Sequence, residues 1–525
     1  MIDGTPFLRL WARRRRQQLA AMSPVETQRN QLLKLVHAAR RTVFGKTHRF
    51  DIIRSVGDFQ SAVPIRDYDA YQDDIWKDRF PDLTDTGWPG PVVWYAVTSG
   101  TTRDVTKYIP VTQAMIQSNK QAVLDMYAHH LAAKPDSRVF GGLNFMLGGS
   151  TDLTTLAPGI RAGDLSGIAA ATMPAWVRPR IYPPQELALE ADWERKINLM
   201  ARGSVNKDIR SIAGTPSWLL LLFDKLADFR PEVDRDVTRI WPNLDLVVHG
   251  GVRFDPYKPQ FDTWVRGRDV DYREAYAASE GFIASSDRGF GQGMRLNLDT
   301  GLFFEFIPLD DLGSATPTRH WIGNVEPGID YAIVLSTCAG LWGWLIGDTV
   351  RIVERDPPRL LVSGRTSYMM SAFGEHLIGD EIDRAVIHAA ETAGLRVTDY
   401  AMGAVFPTAD RPLGGHRYLI EFASGIPAET VVEAIGRAID GNLAEGNADY
   451  AAHRSGGYGM LAPVVFAKPP GFFAAWMKSR GKLGGQNKVP RVINDTVVFD
   501  ELAAFAFGEP ECRSVAGEDD TKGPG

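Results

Sequence analysis

The sequence predicts a mixed α/β protein: a large multi-sheet N-terminal domain followed by a smaller α+β C-terminal domain. Three observations carry this. Short apolar runs that end in glycine or polar turns recur through the first two thirds, as in "LDLVVHGG", "YREAYAASEG" and "LFFEFIPL", and read as buried strands. Between such runs, the residues after Thr112 place Met115, Ile116, Ala122, Val123, Met126, Tyr127 and Leu131 on one face at helical spacing. Beyond residue 365 the pattern restarts with a helix, "GDEIDRAVIHAAETAG", and a strand, "HRYLIEF". A chain of 525 residues with 44% hydrophobic and 23% charged residues has ample material for more than one core.

Taken in order, "FLRLWARRRRQQLAAM" carries Arg13 to Arg16 after its apolar residues, the reverse of a secretory signal, and is expected to form a solvated amphipathic helix. The stretch "VVWYAVTSGTTRDVTKYIPVTQAM", Val92 to Met115, reads as a strand, a Ser/Gly/Thr loop and a helix capped by Thr112, so the loop is expected to join strand to helix. "WLLLLF" (Trp218 to Phe223) and "YAIVLSTCAGLWGWLIG" (Tyr331 to Gly347) fall short of the ~20 residues that span a bilayer and are expected to be buried core. The glycine-flanked polar stretch Ser363 to Gly374 marks a domain boundary and hinge. The expected division is 1–365 for the large domain, 366–507 for a small mobile one, and a disordered Gly/Pro-rich and charged tail at 508–525.

Charge excludes some function classes. With 58 basic and 64 acidic residues the net charge is -6, which gives no global attraction to nucleic acid or anionic lipid. Two cysteines, Cys338 and Cys512, are too few for a disulfide framework or zinc cluster, and point to a reducing compartment, the cytoplasm. The histidines His129, His130, His249 and His453 lack ligand-like spacing, and no G-x-S-x-G elbow is present. His249 reads as a core or supporting residue.

The loop after Val92 is the first candidate site. Backbone N–H groups in a Gly/Ser/Thr turn can converge on an anion, hydroxyls add donors, and a following helix adds its dipole; Ser99, Gly100, Thr101, Thr102 and Lys107 supply the parts. The loop lacks the G-x-x-x-x-G-K-[ST] pattern, and such a turn is more often only a turn. Further phrases bear on the choice. "TSGTTRDVTK" resembles the first signature of the adenylate-forming superfamily, whose members activate a carboxylic acid with ATP; "AYAASEG" resembles its Tyr-x-x-[Thr/Ser]-Glu signature, "IGDTVRI" its Gly-Asp strand, "VSGRTSYMM" its Gly-Arg hinge and "GQNKVPR" its C-terminal Lys-x-x-Arg. Within that superfamily "RSIAGTPSW", "LFFEFIP", "AGLWGWLIGD", "NADYAAHR" and "GQNKVPR" are similar to phrases of the plant-type acyl acid amido synthetases, the auxin-responsive Gretchen Hagen family. The resemblance runs from about Val92 to Arg491. The chain departs from the pattern at Asp104 in the first loop, at Tyr368 in the hinge, and at Gly343 and Leu345 around Trp344, the last two of which leave the plant acid and amino acid preferences open.

The resemblance implies ATP and Mg²⁺ as cofactors, with an acyl acid and an amine, an amino acid first among them, as substrates of a monomeric enzyme. It implies that Ser99, Gly100, Thr101 and Thr102 meet phosphate, that Gly250 and Gly251 let backbone approach adenine, and that Tyr276 stacks on the base. Ser279 would contact the α-phosphate and Glu280 would hold Mg²⁺. Asp348 would accept both ribose hydroxyls, with Arg365 completing that contact, and Lys488 would stabilise charge as pyrophosphate departs. Each has a plainer reading: core for Tyr276, a strand-ending turn for Gly250 and Asp348, surface charge for Glu280, Arg365 and Lys488. The apolar phrases "GIAAATMPAWV" and "AGTPSWLLLLF" are expected to line the acid pocket or to be core helix. Two alternatives stay open: transfer of the acyl group to a thiol such as coenzyme A, and a degenerate acyl or nucleotide binder.

Overall fold

The computed structural model describes residues 3–513, apart from 100–105, 149–152, 189, 191–192, 252–253, 255–256, 367–369, 371–374, 376, 407–412, 448–449, 452–453, 455–459, 482–487 and 507–511. The chain divides into two compact units. Of the described residues, one holds those up to Val362 except Gly347–Thr349; the other holds Gly347–Thr349 and those from Ser363 onward.

The N-terminal unit is built on a twelve-stranded sheet in the order His320–Trp321, Leu302–Pro308, Asp330–Thr337, Trp344–Arg355, Pro358–Arg365, Met294–Leu296, Gly281–Ser285, Asp271–Ala278, Leu246–Gly250, Ile209–Gly214, Leu143–Met146 and Ile181–Tyr182. The last five strands run parallel to one another. Such strands are covered on both faces, and Leu246–Gly250 accordingly reads as a largely apolar run rather than as alternation. Val247 faces Leu222, Phe223 and Trp241 on one side, while Leu246 and Val248 join Ala12, Met126 and Leu131 on the other. The helix Pro216–Phe229 thus covers one face, and Thr5–Ala20 with Gln113–Ala133 covers the opposite one. Both long apolar runs are core as expected, Leu219, Leu222 and Phe223 in that helix and Tyr331 to Leu335 in a strand. Among the described residues no helix is long and apolar enough to cross a membrane.

Three expectations are corrected. The strand Trp94–Ser99 pairs antiparallel with Thr106–Val111, from Trp94 opposite Val111 to Ser99 opposite Thr106, so residues 100–105 connect two strands and not a strand to a helix. The helix Gln113–Ala133 starts only after that second strand, and its dipole does not follow the loop directly. Pro110 hides the strand in the sequence, but the strand lies at the edge of a four-stranded sheet, where a missing N–H is tolerated. Lys107 sits in this strand, with its Nζ 5.3 Å from the centre of the Tyr68 ring. Second, the strands expected to recur through the first two thirds begin only at Trp94–Ser99, the first strand among the described residues, and helices precede it. Third, the helix Thr5–Ala20 exists, yet Arg15 within its basic run is buried. Its guanidinium donates to both carboxylate oxygens of Asp125, at 2.8 and 2.7 Å, and to both of Asp299, at 2.8 Å each.

The C-terminal unit contains a five-stranded sheet in the order Val492–Ile493, Val397–Val405, Gly415–Phe422, Val464–Lys468 and Cys512–Arg513. Alternation along its central strands divides two apolar layers. Tyr400, Met402, Tyr418 and Ile420 pack with the helices Gly379–Thr392 and Glu429–Gly446, whereas Ala401 and Leu419 pack with Phe472–Ser479 and Thr496–Ala503. Residues 508–511 and 514–525 of the expected tail, and Tyr368 in the expected hinge, lie outside the described residues.

Candidate active site

In an α/β sheet, ligands bind where parallel strands deliver their carboxyl ends. Several candidate residues lie at such ends. Gly250 closes the strand Leu246–Gly250 and stands beside Ala275 of the parallel strand Asp271–Ala278. A Cβ at Gly250 would come within 2.3 Å of the Ala275 carbonyl oxygen, so only glycine permits this approach. Gly251 follows with φ 81°, a conformation that side chains rarely adopt. Tyr276 is in the neighbouring strand and buried, and Ser279 and Glu280 form the turn into Gly281–Ser285.

Glu280 is only 8% exposed, and the indole N–H of Trp344 donates to its Oε1 at 3.3 Å. This answers the surface reading of Glu280. Trp344 is itself fixed in a cluster with Tyr68, Tyr71 and Trp76, ring centres 5.1 to 6.1 Å away. In the sequence, Trp344 stands out only as the residue between the unusual Gly343 and Leu345. Gly343 has its own structural cause: its φ is 59°, and a Cβ there would meet the Pro64 carbonyl oxygen at 2.7 Å. Ser99 ends its strand in the four-stranded sheet, while Gly100, Thr101, Thr102 and Asp104 lie outside the described residues.

His249 is core, 2% exposed and stacked on Phe254 with ring centres 3.7 Å apart. Burial holds its imidazole neutral, lowering its pKa to about 3. Of the expected pocket phrases, Leu219, Leu222 and Phe223 are core, and Trp176 is 70% exposed.

The C-terminal unit brings together the candidates most distant in sequence. Asp348 and Arg365 form an ion pair, Nε to Oδ1 at 3.0 Å. Two hydrogen bonds fasten the segments that carry them, Ser363 Oγ to Thr349 Oγ1 and Thr366 Oγ1 to the Gly347 carbonyl, both at 3.2 Å. Lys488 lies within electrostatic range of this pair. Its side chain keeps exposed surface, yet loss of hydration is the main cause that lowers its ammonium pKa to about 8; Arg365 and Arg491 add to the effect and Asp348 opposes it. A lysine so placed stands near a carboxylate and a guanidinium, where an anionic group would favour its charged form.

Among the described residues no group of three or more His, Cys, Asp or Glu side chains could hold a metal by itself. Glu280 offers one buried hard oxygen donor, which suits Mg²⁺, an ion that commonly takes one or two carboxylates and completes its shell with substrate phosphates and water.

Residues 13–186 and 161–270 match the GH3 family N-terminal domain, 296–365 the GH3 family central domain and 380–497 the GH3 family C-terminal domain. The indole-3-acetic acid-amido synthetase GH3.8 of Oryza sativa subsp. indica is 26% identical over 344 residues, covering 60% of this chain and 55% of that protein. A probable indole-3-acetic acid-amido synthetase, GH3.1 of Arabidopsis thaliana, is 25% identical over 342 residues with the same coverages. The chain thus spans about half the length of these curated relatives. In fold it is similar to the GH3.15 acyl acid amido synthetase, with TM-score 0.76 at 17% identity over 95% of this chain and 96% of that one. It is also similar to a 2-hydroxyisobutyryl-CoA ligase, with TM-score 0.58 at 15% identity over 90% of each chain. Three domain matches in the family's own order, covering most of the sequence, and a whole-chain likeness in fold lead to one conclusion: the chain belongs to the GH3 family.

Proposed function

We propose that this chain is an ATP-dependent acyl acid amido synthetase. A carboxylate oxygen of the acid attacks the α-phosphorus of ATP, the bond to the β-phosphate oxygen breaks, and pyrophosphate leaves. An amine nitrogen then attacks the carbonyl carbon of the acyl adenylate; the bond to AMP breaks, nitrogen loses a proton, and an amide forms. The observation that carries this reading is the convergence of Asp348, Arg365 and the low-pKa Lys488 in one unit of a GH3 chain. Asp348 accepts the ribose hydroxyls and Arg365 holds that carboxylate in place. Lys488 stabilises the charge that develops as pyrophosphate departs, a contact worth most in the transition state.

In the N-terminal unit, Gly250 and Gly251 admit the adenine edge and Tyr276 stacks on its face. Ser99, Gly100, Thr101, Thr102 and Ser279 donate to phosphate. Glu280, oriented by Trp344, holds Mg²⁺, which neutralises phosphate charge when bound. The division 1–365 and 366–507, with the smaller domain as the mobile carrier of Lys488, is part of the same proposal. So are a monomeric state and a reducing compartment, to which the free, buried Cys338 is suited.

The test is pyrophosphate release by the full chain over a panel of aromatic and alkyl carboxylic acids, with amino acids or coenzyme A present, followed by product mass. An acid-dependent amide supports the proposal. A thioester would reassign the acceptor step, and absence of acid-dependent pyrophosphate release and exchange across the panel would leave a nucleotide or acyl binder. The plant relatives carry indole-3-acetic acid in their names, which makes that acid a natural first member of the panel.

A further inference from the structure

We propose that Arg491 is a positioning residue for Lys488, a clamp that fixes the point from which the lysine is presented. This inference rests on the reading of Lys488 given above. Only Val489 and Pro490 separate the two residues. Three residue steps span at most about 11 Å, and proline fixes its own φ while restricting the residue before it, so the link has little freedom. Whatever holds Arg491 therefore limits where Lys488 can go.

Arg491 is held from three directions. Its carbonyl accepts the Met402 N–H at 2.7 Å, and Val492 and Ile493 continue alongside Met402 and Gly403 as a parallel edge strand. Its Nη1 donates to Asp383 Oδ1 at 2.6 Å, Asp383 being in the helix Gly379–Thr392. Its guanidinium lies 5.1 Å from the centre of the Tyr400 ring, and the Tyr400 hydroxyl donates to that same Asp383 oxygen at 2.5 Å. Asp399, beside Tyr400, places Oδ1 3.8 Å from Arg491 Nε. Asp399 also feels Glu421 of the strand Gly415–Phe422; desolvation raises its pKa to about 6, Arg491 opposes the rise, and Glu421 and Asp383 add to it. Helix, central strand and edge strand thus meet on one guanidinium. A lysine here would keep the charge but not the planar contact with the ring.

Arg491 also places positive charge near Lys488, alongside Arg365 and against Asp348. A clamp and a charge make separable predictions. In the full chain, Arg491→Met should lower acid-dependent ATP–pyrophosphate exchange by roughly tenfold or more, because the lysine loses its fixed origin. The alkaline midpoint of exchange should move upward from its wild-type position, because a neighbouring cation is gone. Asp383→Asn opens the clamp from the helix side while leaving Arg491 charged, so exchange should fall without an upward move of the midpoint. Arg491→Lys should keep the midpoint near wild type and recover part of the rate.

Thermal melting and ATP binding of each variant are read in parallel. Exchange that falls only in step with lost thermal stability, with an unmoved midpoint in Arg491→Met, would make Arg491 merely structural and overturn the inference. Wild-type exchange in Arg491→Met would do the same. Lys488→Met is run alongside: wild-type exchange there rejects the reading of Lys488 itself, whereas its loss together with unaffected Arg491→Met rejects only the clamp.

Discussion

Loss of hydration first, and then repulsion from Arg365 and Arg491, lowers the Lys488 ammonium pKa from 10.5 to about 8 against the pull of Asp348, although the residue keeps exposed surface. The charged form prevails below that value and is lost as pH rises through it. If Lys488 stabilises departing pyrophosphate, adenylation should have an alkaline limb near pH 8, and Lys488→Arg should move that limb upward at a reduced rate. Lys488→Ala should lower adenylation by roughly 10² or more at neutral pH with ATP binding nearly intact. Stability has the opposite sign: between about pH 8 and 10.5 the unfolded chain binds more protons than the folded one, so the folded state gains as pH rises across that window. Lys488→Met should therefore not lower the melting temperature at pH 7, which separates a catalytic defect from misfolding. At Glu280 the relevant property is ligand hardness. Glu280→Gln keeps the shape and the acceptor for Trp344 but replaces an anion with an amide, and roughly tenfold more Mg²⁺ should be needed for half-maximal pyrophosphate exchange. An unchanged Mg²⁺ titration would place Glu280 outside the metal site.

At the level of elements, what was legible in the sequence was what a single period or a single cap encodes. Leu246–Gly250 is a largely apolar strand, Leu302–Pro308 is one interrupted only by Glu305, Asp271–Ala278 ends in a turn before Gly281, and the helix Gln113–Ala133 is announced by Thr112, whose hydroxyl accepts the Met115 N–H at 3.1 Å. What was not legible depends on partners far along the chain. Thr106–Val111 is a strand because Trp94–Ser99 lies beside it, although Pro110 argues against one locally. Trp344 meets Glu280, and Asp383 meets Arg491, through contacts that no local pattern records. Arg15 is the clearest case, since nothing separates it from Arg13, Arg14 and Arg16 except its helix face. Two carboxylates converge on it, and Asp125 is only 3% exposed. Removing one partner of a buried ion pair costs about 3–5 kcal/mol, whereas exposed charges contribute little. Arg15→Met should lower unfolding free energy by that order in denaturant titrations, and Arg14→Met should change it by less than about 0.5 kcal/mol. Equal effects would mean that the pairing on Arg15 does not hold the helix Thr5–Ala20 in place.

Across the whole molecule, each apolar cluster among the described residues draws its buried members from one unit. Leu222 belongs to the layer between the parallel strands and the helix Pro216–Phe229, and is fully buried. Leu419 belongs to the layer of the C-terminal sheet that packs on Phe472–Ser479 and Thr496–Ala503, and is 1% exposed. Truncating a buried leucine to alanine removes its transfer free energy and leaves a cavity, about 2–5 kcal/mol in all. A unit with its own core can lose that stability locally, because opening free energies follow cooperative units rather than the chain as a whole. Leu222→Ala should therefore speed amide hydrogen exchange across the parallel strands and leave Val397–Val405 and Gly415–Phe422 protected, and Leu419→Ala should do the reverse. The functional readouts should divide in the same way: Leu419→Ala disturbs the sheet from which Arg491 and Lys488 depart, so pyrophosphate exchange should fall before the N-terminal strands lose protection. If each substitution instead accelerated hydrogen exchange throughout both sheets, the chain would open as one cooperative unit, and the separate presentation of Lys488 by the smaller unit would lose its physical basis.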